Sequence, residues 1–143
     1  MRLDFLLGSL LLVPIACSGG LSPSVPAHGV EVVATAIRRA AGGDSVTIRI
    51  TNVGSQQAFL SRCGDGPLIL VEQFVGGTWT GGVQNFACLA PTAPGPVALG
   101  PAASISSARI FDLAGRYRFR VPVATTEDLR DAAPAESNAF DIP

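Results

Sequence analysis

Residues 63–88 read CGDGPLILVEQFVGGTWTGGVQNFAC, and this stretch decides the fold. Two cysteines enclose an apolar run, two Gly-Gly pairs and the single tryptophan of the chain, Trp79. A Gly-Gly pair between two strand-like runs is typical of a two-residue β-hairpin turn. We predict a β-meander closed by a Cys63–Cys88 disulfide, with Trp79 turned toward a core. Two free buried thiols are the competing interpretation.

The chain after residue 29 alternates apolar and polar residues with the period of short strands rather than of helices. Val46, Ile48 and Ile50 alternate with polar side chains, so we expect one buried and one solvent-facing side on that strand. Prolines in residues 89–103 argue against a central strand and predict a crossover between sheets. The predicted strands cover 30–37, 46–51, 58–61, 68–75, 84–88 with 78–80 leading into it, 104–111, 116–123 and 137–142.

Two local details belong to this strand pattern. The apolar start of 68–75 predicts burial on both faces of that strand. Residues 125–135 are polar and have room for one helical turn, with Thr125 as its cap and Asp128 facing it.

About eight short strands, with no long helix and no internal repeat, predict an all-β protein, an antiparallel β-sandwich that fills one domain over residues 29–143. Residues 112–119, DLAGRYRF, resemble the corner before strand F of immunoglobulin-like domains. The resemblance implies an immunoglobulin-like β-sandwich of seven or eight strands, in which the hydroxyl of Tyr117 bonds back across the corner. It also implies that Phe119 faces inward, where antibody domains carry a cysteine. A β-turn followed by an ordinary amphipathic strand is the alternative.

Residues 1–16, MRLDFLLGSLLLVPIA, have the pattern of a signal peptide, with one arginine before an apolar segment over residues 5–15. That segment is shorter than the roughly 20 residues needed to span a bilayer. Ile15 and Ala16, followed by Cys17, resemble a bacterial lipobox, although a proline stands where leucine or valine is usual. The resemblance implies that Cys17 is acylated and becomes the mature N-terminus.

A lipid on Cys17 would anchor the protein to a membrane of the cell envelope, on the outer membrane facing the periplasm or at the cell surface. Residues 17–28 are rich in Gly, Ser and Pro and predict a flexible tether between lipid and domain. His28 ends the tether, and we interpret it as a solvated loop residue. Ordinary cleavage after Ser18, which would release a soluble secreted or periplasmic protein, is the alternative.

The composition argues against several function classes. With a formal charge of −1, the chain lacks the excess of basic residues that is typical of a nucleic-acid-binding protein. One histidine, one methionine and no C-x-x-C spacing predict neither a metal site nor a cofactor. The sequence shows no nucleophile–base pair and no phosphate-binding glycine loop, so we predict no enzyme activity. We interpret the acidic residues Glu127, Asp128, Asp131 and Glu136 as a solvated face.

Arg116, Arg118 and Arg120 form the surface feature that we single out. Their period of two places all three on the outward face of one strand. Such a row fits contact with anionic lipid headgroups or with an acidic partner. Cross-strand pairing with acidic neighbours is the alternative interpretation.

Together these features predict an envelope lipoprotein that acts as a non-enzymatic binding or structural module, with the membrane and an unidentified envelope protein as partners. A proteinase inhibitor is the second hypothesis, and it would present the stiff, proline-rich loop 89–101. The turn Thr51-Asn52-Val53-Gly54 resembles one in small bacterial proteinase-inhibitor domains.

Overall fold

The computed structural model describes residues 23–81, 88 and 93–143. The predicted signal peptide, Cys17 and residues 84–87 of a predicted strand lie outside the described residues. Within the described ranges the regular structure consists of antiparallel β-strands alone, as the sequence predicts. The strands are β1 (Val30–Ala40), β2 (Gly43–Asn52), β3 (Ala58–Leu60), β4 (Arg62–Cys63), β5 (Gly66–Pro67), β6 (Leu70–Val75), β7 (Thr78–Gly81), β8 (Val97–Leu99), β9 (Ser104–Phe111), β10 (Gly115–Ala124), β11 (Ala133–Glu136) and β12 (Phe140–Ile142).

The strands form two main sheets. One has three strands in the order β1-β2-β9, and the other has seven, arranged around β10. Arg120 of β10 pairs with both Leu70 of β6 and Glu136 of β11, so these two strands lie on opposite sides of β10. β3 continues the side of β6, and β12 continues the side of β11. The short hairpin β4–β5 is inserted in the chain between β3 and β6.

The hydrophobic core lies between the two sheets. Val46, Ile48 and Ile50 of β2 are fully buried, which confirms the predicted alternation. From the larger sheet Tyr117 and Phe119 face them, and full burial of one such side chain stabilises the fold by about 1.5–3 kcal/mol. Four aromatic rings pack together in this core, with centroids 4.8–6.1 Å apart: Phe111, Tyr117, Phe119 and Phe140. Two antiparallel sheets facing one core make the domain a β-sandwich.

The Gly76–Gly77 hairpin is confirmed. Both glycines have positive φ angles, 58° and 88°, and they join β6 to β7. Residues with a side chain rarely adopt this conformation, and two consecutive positive φ angles match the right-handed twist of the flanking strands. Val75 pairs with Thr78 directly across the turn.

Three details of the strand prediction are wrong. The strand predicted over 68–75 begins at Leu70, and Leu70 and Phe74 are exposed because they lie on the face of β6 that points away from the core. The crossover predicted over 89–103 contains β8, which pairs with β3. The helical turn predicted near Thr125 is absent from the described chain, since residues 125–132 form a loop and β11 follows it.

The folded domain begins earlier than residue 29. Val25 and Glu136 exchange backbone hydrogen bonds of 2.8 Å in an antiparallel bridge with β11. Ala27 and Val30 then close a tight turn, in which His28 has a φ angle of 48°. The end of the predicted tether, from Val25 onward, therefore belongs to the sandwich.

Candidate functional site

The predicted arginine row lies on the outer face of β10. Tyr117 and Phe119, which alternate with the arginines, point into the core. Arg116, Arg118 and Arg120 therefore occupy the opposite face, away from the smaller sheet. This placement agrees with the period-two interpretation of the sequence.

Arg118 and Arg120 form an ion-pair network with two glutamates. Arg118 Nε donates to Glu72 Oε2 and Arg118 Nη1 donates to Glu136 Oε2, both at 2.6 Å. Arg120 Nη1 donates to Glu72 Oε1 at 3.2 Å, and Arg120 Nε lies 3.9 Å from Glu136 Oε1. The network crosses three neighbouring strands, since Glu72 is in β6 and Glu136 is in β11.

The network is shielded from solvent at its centre. The side chain of Glu72 is 9% exposed and that of Arg118 is 18% exposed. Removing charges from water is costly unless they are paired and hydrogen-bonded, and here each carboxylate accepts from a guanidinium. The alternative interpretation of the sequence, cross-strand pairing with acidic neighbours, therefore describes Arg118 and Arg120. Contact of this row with anionic lipids stays a prediction.

Trp79 does not point into the core, and this prediction is wrong. Trp79 pairs in register with Phe74, which shares its face of β6 with Glu72, so the tryptophan lies on the outer face. Its ring packs against Phe74 at 5.2 Å, and Arg118 Cζ lies 4.6 Å from its centroid. Such a cation–π contact contributes about 0.5–1 kcal/mol.

These side chains form one surface, which we call the outer-face cluster: Glu72, Phe74, Trp79, Arg118, Arg120 and Glu136. Its charged groups bind one another, and its aromatic side chains cover one side of the network. The cluster contains no serine, cysteine or histidine, so it offers no side-chain nucleophile with a neighbouring base. Its geometry suits a rigid recognition or structural surface.

The hydroxyl of Tyr117 bonds back across the corner, as the immunoglobulin-like resemblance implies. It donates to the carbonyl oxygen of Leu113 at 3.0 Å and accepts from Gln73 Nε2 at 3.4 Å. Burial and, secondarily, the negative charge of Asp112 raise the pKa of Tyr117. The buried side chain of Tyr117 therefore connects the corner before β10 to the core through its hydrogen bond to Leu113.

Replacing Tyr117 with phenylalanine should lower the free energy of unfolding by about 1 kcal/mol, because the carbonyl of Leu113 loses a part-buried hydrogen bond. Urea denaturation followed by circular dichroism measures this loss. Thr51→Val is the matched control, since it removes a hydroxyl whose hydrogen bond to Ser104 is exposed. Equal urea midpoints for Tyr117→Phe and wild type would show that the hydrogen bond from Tyr117 to Leu113 does not contribute to stability.

The predicted disulfide is present. Cys63 and Cys88 are bonded, with their Cα atoms 4.8 Å apart and a sequence separation of 25. Cys63 ends β4, so the bond ties the inserted β4–β5 hairpin to the chain that follows β7. The alternative of two free thiols is excluded in this structure.

His28 and the loop 125–131 contact each other. His28 Nε2 lies 2.9 Å from the backbone oxygen of Asp131 and 3.9 Å from its carboxylate. Asp131 also accepts hydrogen bonds from the backbone and side chain of Thr125, which lower its pKa to about 2. Asp131, rather than the predicted Asp128, therefore accepts the hydrogen bonds of Thr125. Glu136 lies apart from this loop, in the outer-face cluster.

The stability of the domain should fall as the pH drops from about 4 to about 2, in part because of Asp131. The folded pKa of about 2 lies below the ordinary 3.8, so ionised Asp131 stabilises the fold above pH 4 and loses that effect below it. Thermal unfolding of wild type and Asp131→Asn between pH 6 and pH 2 checks this. The variant should show the shallower decline, and parallel curves would contradict the assignment.

The described part of the loop proposed for proteinase inhibition, residues 93–101, includes both exposed and buried residues. Residues 89–92 lie outside the described ranges, and Leu99 is buried in β8. Arg62 donates to the carbonyl oxygens of Gly95 and Pro96 at 2.7 and 3.2 Å. Asn52 has a structural role, since its buried amide donates to Leu99 and its side-chain oxygen accepts from Gly54.

The described ranges have neither a candidate metal site nor a membrane-spanning helix. They contain no group of three or more His, Cys, Asp or Glu side chains placed to hold a metal ion. They also contain no helix that is long and apolar enough to cross a membrane.

Comparisons with known proteins give little further information. No family model matches the chain, and no curated protein matches it. Among solved structures, the chain is similar to the X-ray structure of the Northeast Structural Genomics Consortium target SoR45. That similarity covers 79% of this chain and 82% of the other, at 13% sequence identity and a TM-score of 0.33. At this level it carries no argument about fold or function.

Proposed function

We propose that this protein is an exported lipoprotein of the cell envelope, whose β-sandwich acts as a non-enzymatic binding or structural module. The sequence before and at Cys17 carries the proposal, because an apolar leader ends directly at a lipobox-like cysteine. Acylation at this position would hold the mature chain at a membrane. The partners are then the membrane and a protein of the envelope.

The Cys63–Cys88 disulfide supports export. Disulfides form and persist in oxidising compartments and are rare in the cytosol. The bond uses two of the three cysteines and leaves Cys17 available for a lipid.

We further propose that the sandwich is of the immunoglobulin-like type. The corner hydrogen bond of Tyr117 supports this assignment. So does the position of β10, which lies between β6 and β11 as strand F lies between strands C and G. In such domains loops and sheet faces serve as recognition surfaces, and here the outer-face cluster is the candidate.

Labelled palmitate should enter the wild-type protein in a bacterial host and should be absent from the Cys17→Ala variant. Gel autoradiography of the purified proteins makes the comparison. The Cys63→Ala/Cys88→Ala variant is the matched control, and it should retain the label. Label that is still present in the Cys17→Ala variant would show that Cys17 is not the acylated residue and would contradict the proposed anchor. An unlabelled wild-type protein in the soluble fraction would favour cleavage after Ser18.

A further inference from the structure

The two ends of the sandwich differ in chemistry. The corner end contains the start of β10, the β6–β7 turn and the β1–β2 turn, since Tyr117 pairs with Gln73 and Asp44 pairs with Phe111. The acidic end contains the end of β10, the loop 125–131 and the turn that follows β2. The two ends lie about 30 Å apart, because β10 runs the full distance between them.

The antiparallel bridge to β11 gives the direction of the chain at Val25. β11 runs from the acidic end toward the corner end, because Val123 pairs with Ala133 and Arg120 pairs with Glu136. The bridge between Val25 and Glu136 is antiparallel, so the chain at Val25 runs the opposite way. Followed backward from Val25, the chain points toward the corner end.

The chain before Val25 is long enough for Cys17 to reach the corner end. Cys17 lies eight residues earlier, a reach of about 26–29 Å when extended. Glu136 pairs with Arg120, so Val25 lies at about the level of Arg120 along β10. Arg120 is five residues from Gly115, so the distance from this level to the corner end is about 17 Å. Cys17 can therefore extend about 10 Å beyond this end, whereas reaching past the acidic end requires the chain to reverse.

The corner end exposes apolar side chains at its tips. Leu113 is 60% exposed in the corner before β10, and Val75 is 51% exposed beside the β6–β7 turn. The two tips are neighbours, because the side chain of Gln73 bonds the hydroxyl of Tyr117, which in turn bonds the backbone of Leu113. Exposed apolar tips of this kind suit contact with the interfacial layer of a bilayer. The acidic end also exposes Val53, at 63%, so the chain direction and the charge, rather than apolar exposure, distinguish the two ends.

The charges of the two ends also differ. The corner end carries three arginines and three aspartates: Arg38, Arg39, Arg116, Asp44, Asp112 and Asp141. Arg39 Nε lies 3.3 Å from Asp44 Oδ1. At the acidic end the described loop carries three acidic residues and one arginine: Glu127, Asp128, Asp131 and Arg130. A membrane with anionic headgroups repels a net negative surface. The acidic end is therefore the less favourable one to place against lipid.

We propose that the corner end of the sandwich, with Leu113 and Val75 at its tips, rests on the lipid surface to which Cys17 is attached. The acidic end then faces away from the membrane. The inference rests on the proposed lipid anchor and adds an orientation to it. It commits to a lipid bilayer as the occupant of this end.

Tryptophan substitutions at the two ends test the orientation. Leu113→Trp and Val53→Trp, each combined with Trp79→Phe, place the single tryptophan at the corner end or at the acidic end. Both sites are exposed, at 60% and 63%, so neither change disturbs the core. Val75→Trp in the same background is a second probe of the corner end. Circular dichroism confirms that each variant is folded.

The probe is a vesicle of phosphatidylethanolamine and phosphatidylglycerol that contains brominated acyl chains. Each variant is used as the mature chain from Cys17 onward, since every described strand pairing lies within residues 25–143. One arm uses acylated protein purified from membranes. The other couples the thiol of Cys17 to a maleimide phospholipid, so that the orientation is measured whether or not cells acylate this cysteine.

The corner-end variants should show a blue-shifted emission and several-fold stronger quenching by brominated lipid than Val53→Trp. Equal quenching at the two ends, or stronger quenching at Val53→Trp, would overturn the orientation. Absence of quenching in all variants would also overturn it and would favour a protein partner for this end. If cells do not acylate Cys17 but the coupled protein shows quenching at the corner end, the proposed lipid anchor is wrong. The orientation of the corner end toward lipid would then still hold.

Discussion

Replacing Cys63 and Cys88 together with alanine should lower the free energy of unfolding by about 3–4 kcal/mol. The disulfide closes a loop over a sequence separation of 25, and opening it restores conformational entropy to the unfolded chain. Domains of this size have a net stability of about 5–15 kcal/mol, so the loss is a large fraction of the total. The variant should then be poorly recovered from cells at growth temperature.

Urea denaturation of the oxidised, reduced and double-alanine proteins measures this effect. The reduced wild type should resemble the double-alanine variant. Cys17→Ala is the matched control, since it removes a cysteine outside the disulfide and should leave the midpoint unchanged. A loss below about 1 kcal/mol would contradict the loop-closure argument and would indicate that the unfolded chain is already compact near this loop.

Replacing Arg118 with methionine should lower the free energy of unfolding by about 3 kcal/mol. The substitution keeps the apolar stem but leaves Glu72, at 9% exposure, with Arg120 alone as its cationic partner. Removing one member of a shielded ion pair costs about 3–5 kcal/mol when the remaining charge has no other partner, and Arg120 compensates Glu72 in part, so we expect the lower end of that range. Loss of the cation–π contact with Trp79 adds to this cost.

The matched control is Arg49→Met, which removes an exposed arginine from the smaller sheet. Its effect should stay within about 0.5 kcal/mol of wild type, as for ordinary surface substitutions. Adding Glu72→Gln to Arg118→Met should recover part of the loss, and the double-mutant cycle then gives the coupling between the two residues. Equal effects of Arg118→Met and Arg49→Met would show that the network contributes nothing to stability.

Local patterns in the sequence were sufficient for much of the fold. The alternation around Ile48 predicted a one-sided strand, and Gly76–Gly77 predicted the hairpin, because both depend on residues that are neighbours in the chain. The corner bond of Tyr117 was also predictable, since its acceptor Leu113 is only four residues away. The disulfide followed from a count of three cysteines with one, Cys17, assigned to the lipidation site.

Features that depend on long-range pairing were not predictable. Glu72 lies 46 residues from Arg118, so the ion-pair network exists only once β6 and β10 are in register. Trp79 sits in a four-residue strand, too short for its own alternation to reveal its face, and the pairing with Phe74 decides it. β8 could not be predicted, because it has only three residues, too few to show the alternation of apolar and polar residues typical of a strand, and it lies in a proline-rich segment.

The intact mass of the mature protein, recovered from the membrane fraction without reduction, tests the lipoprotein assignment in one step. We expect the mass of residues 17–143, increased by a diacylglyceryl group and decreased by the two hydrogens lost in the Cys63–Cys88 bond. A species at the 14.7 kDa of the full chain, with its leader intact and three thiols open to alkylation, would contradict export, the anchor and the disulfide together.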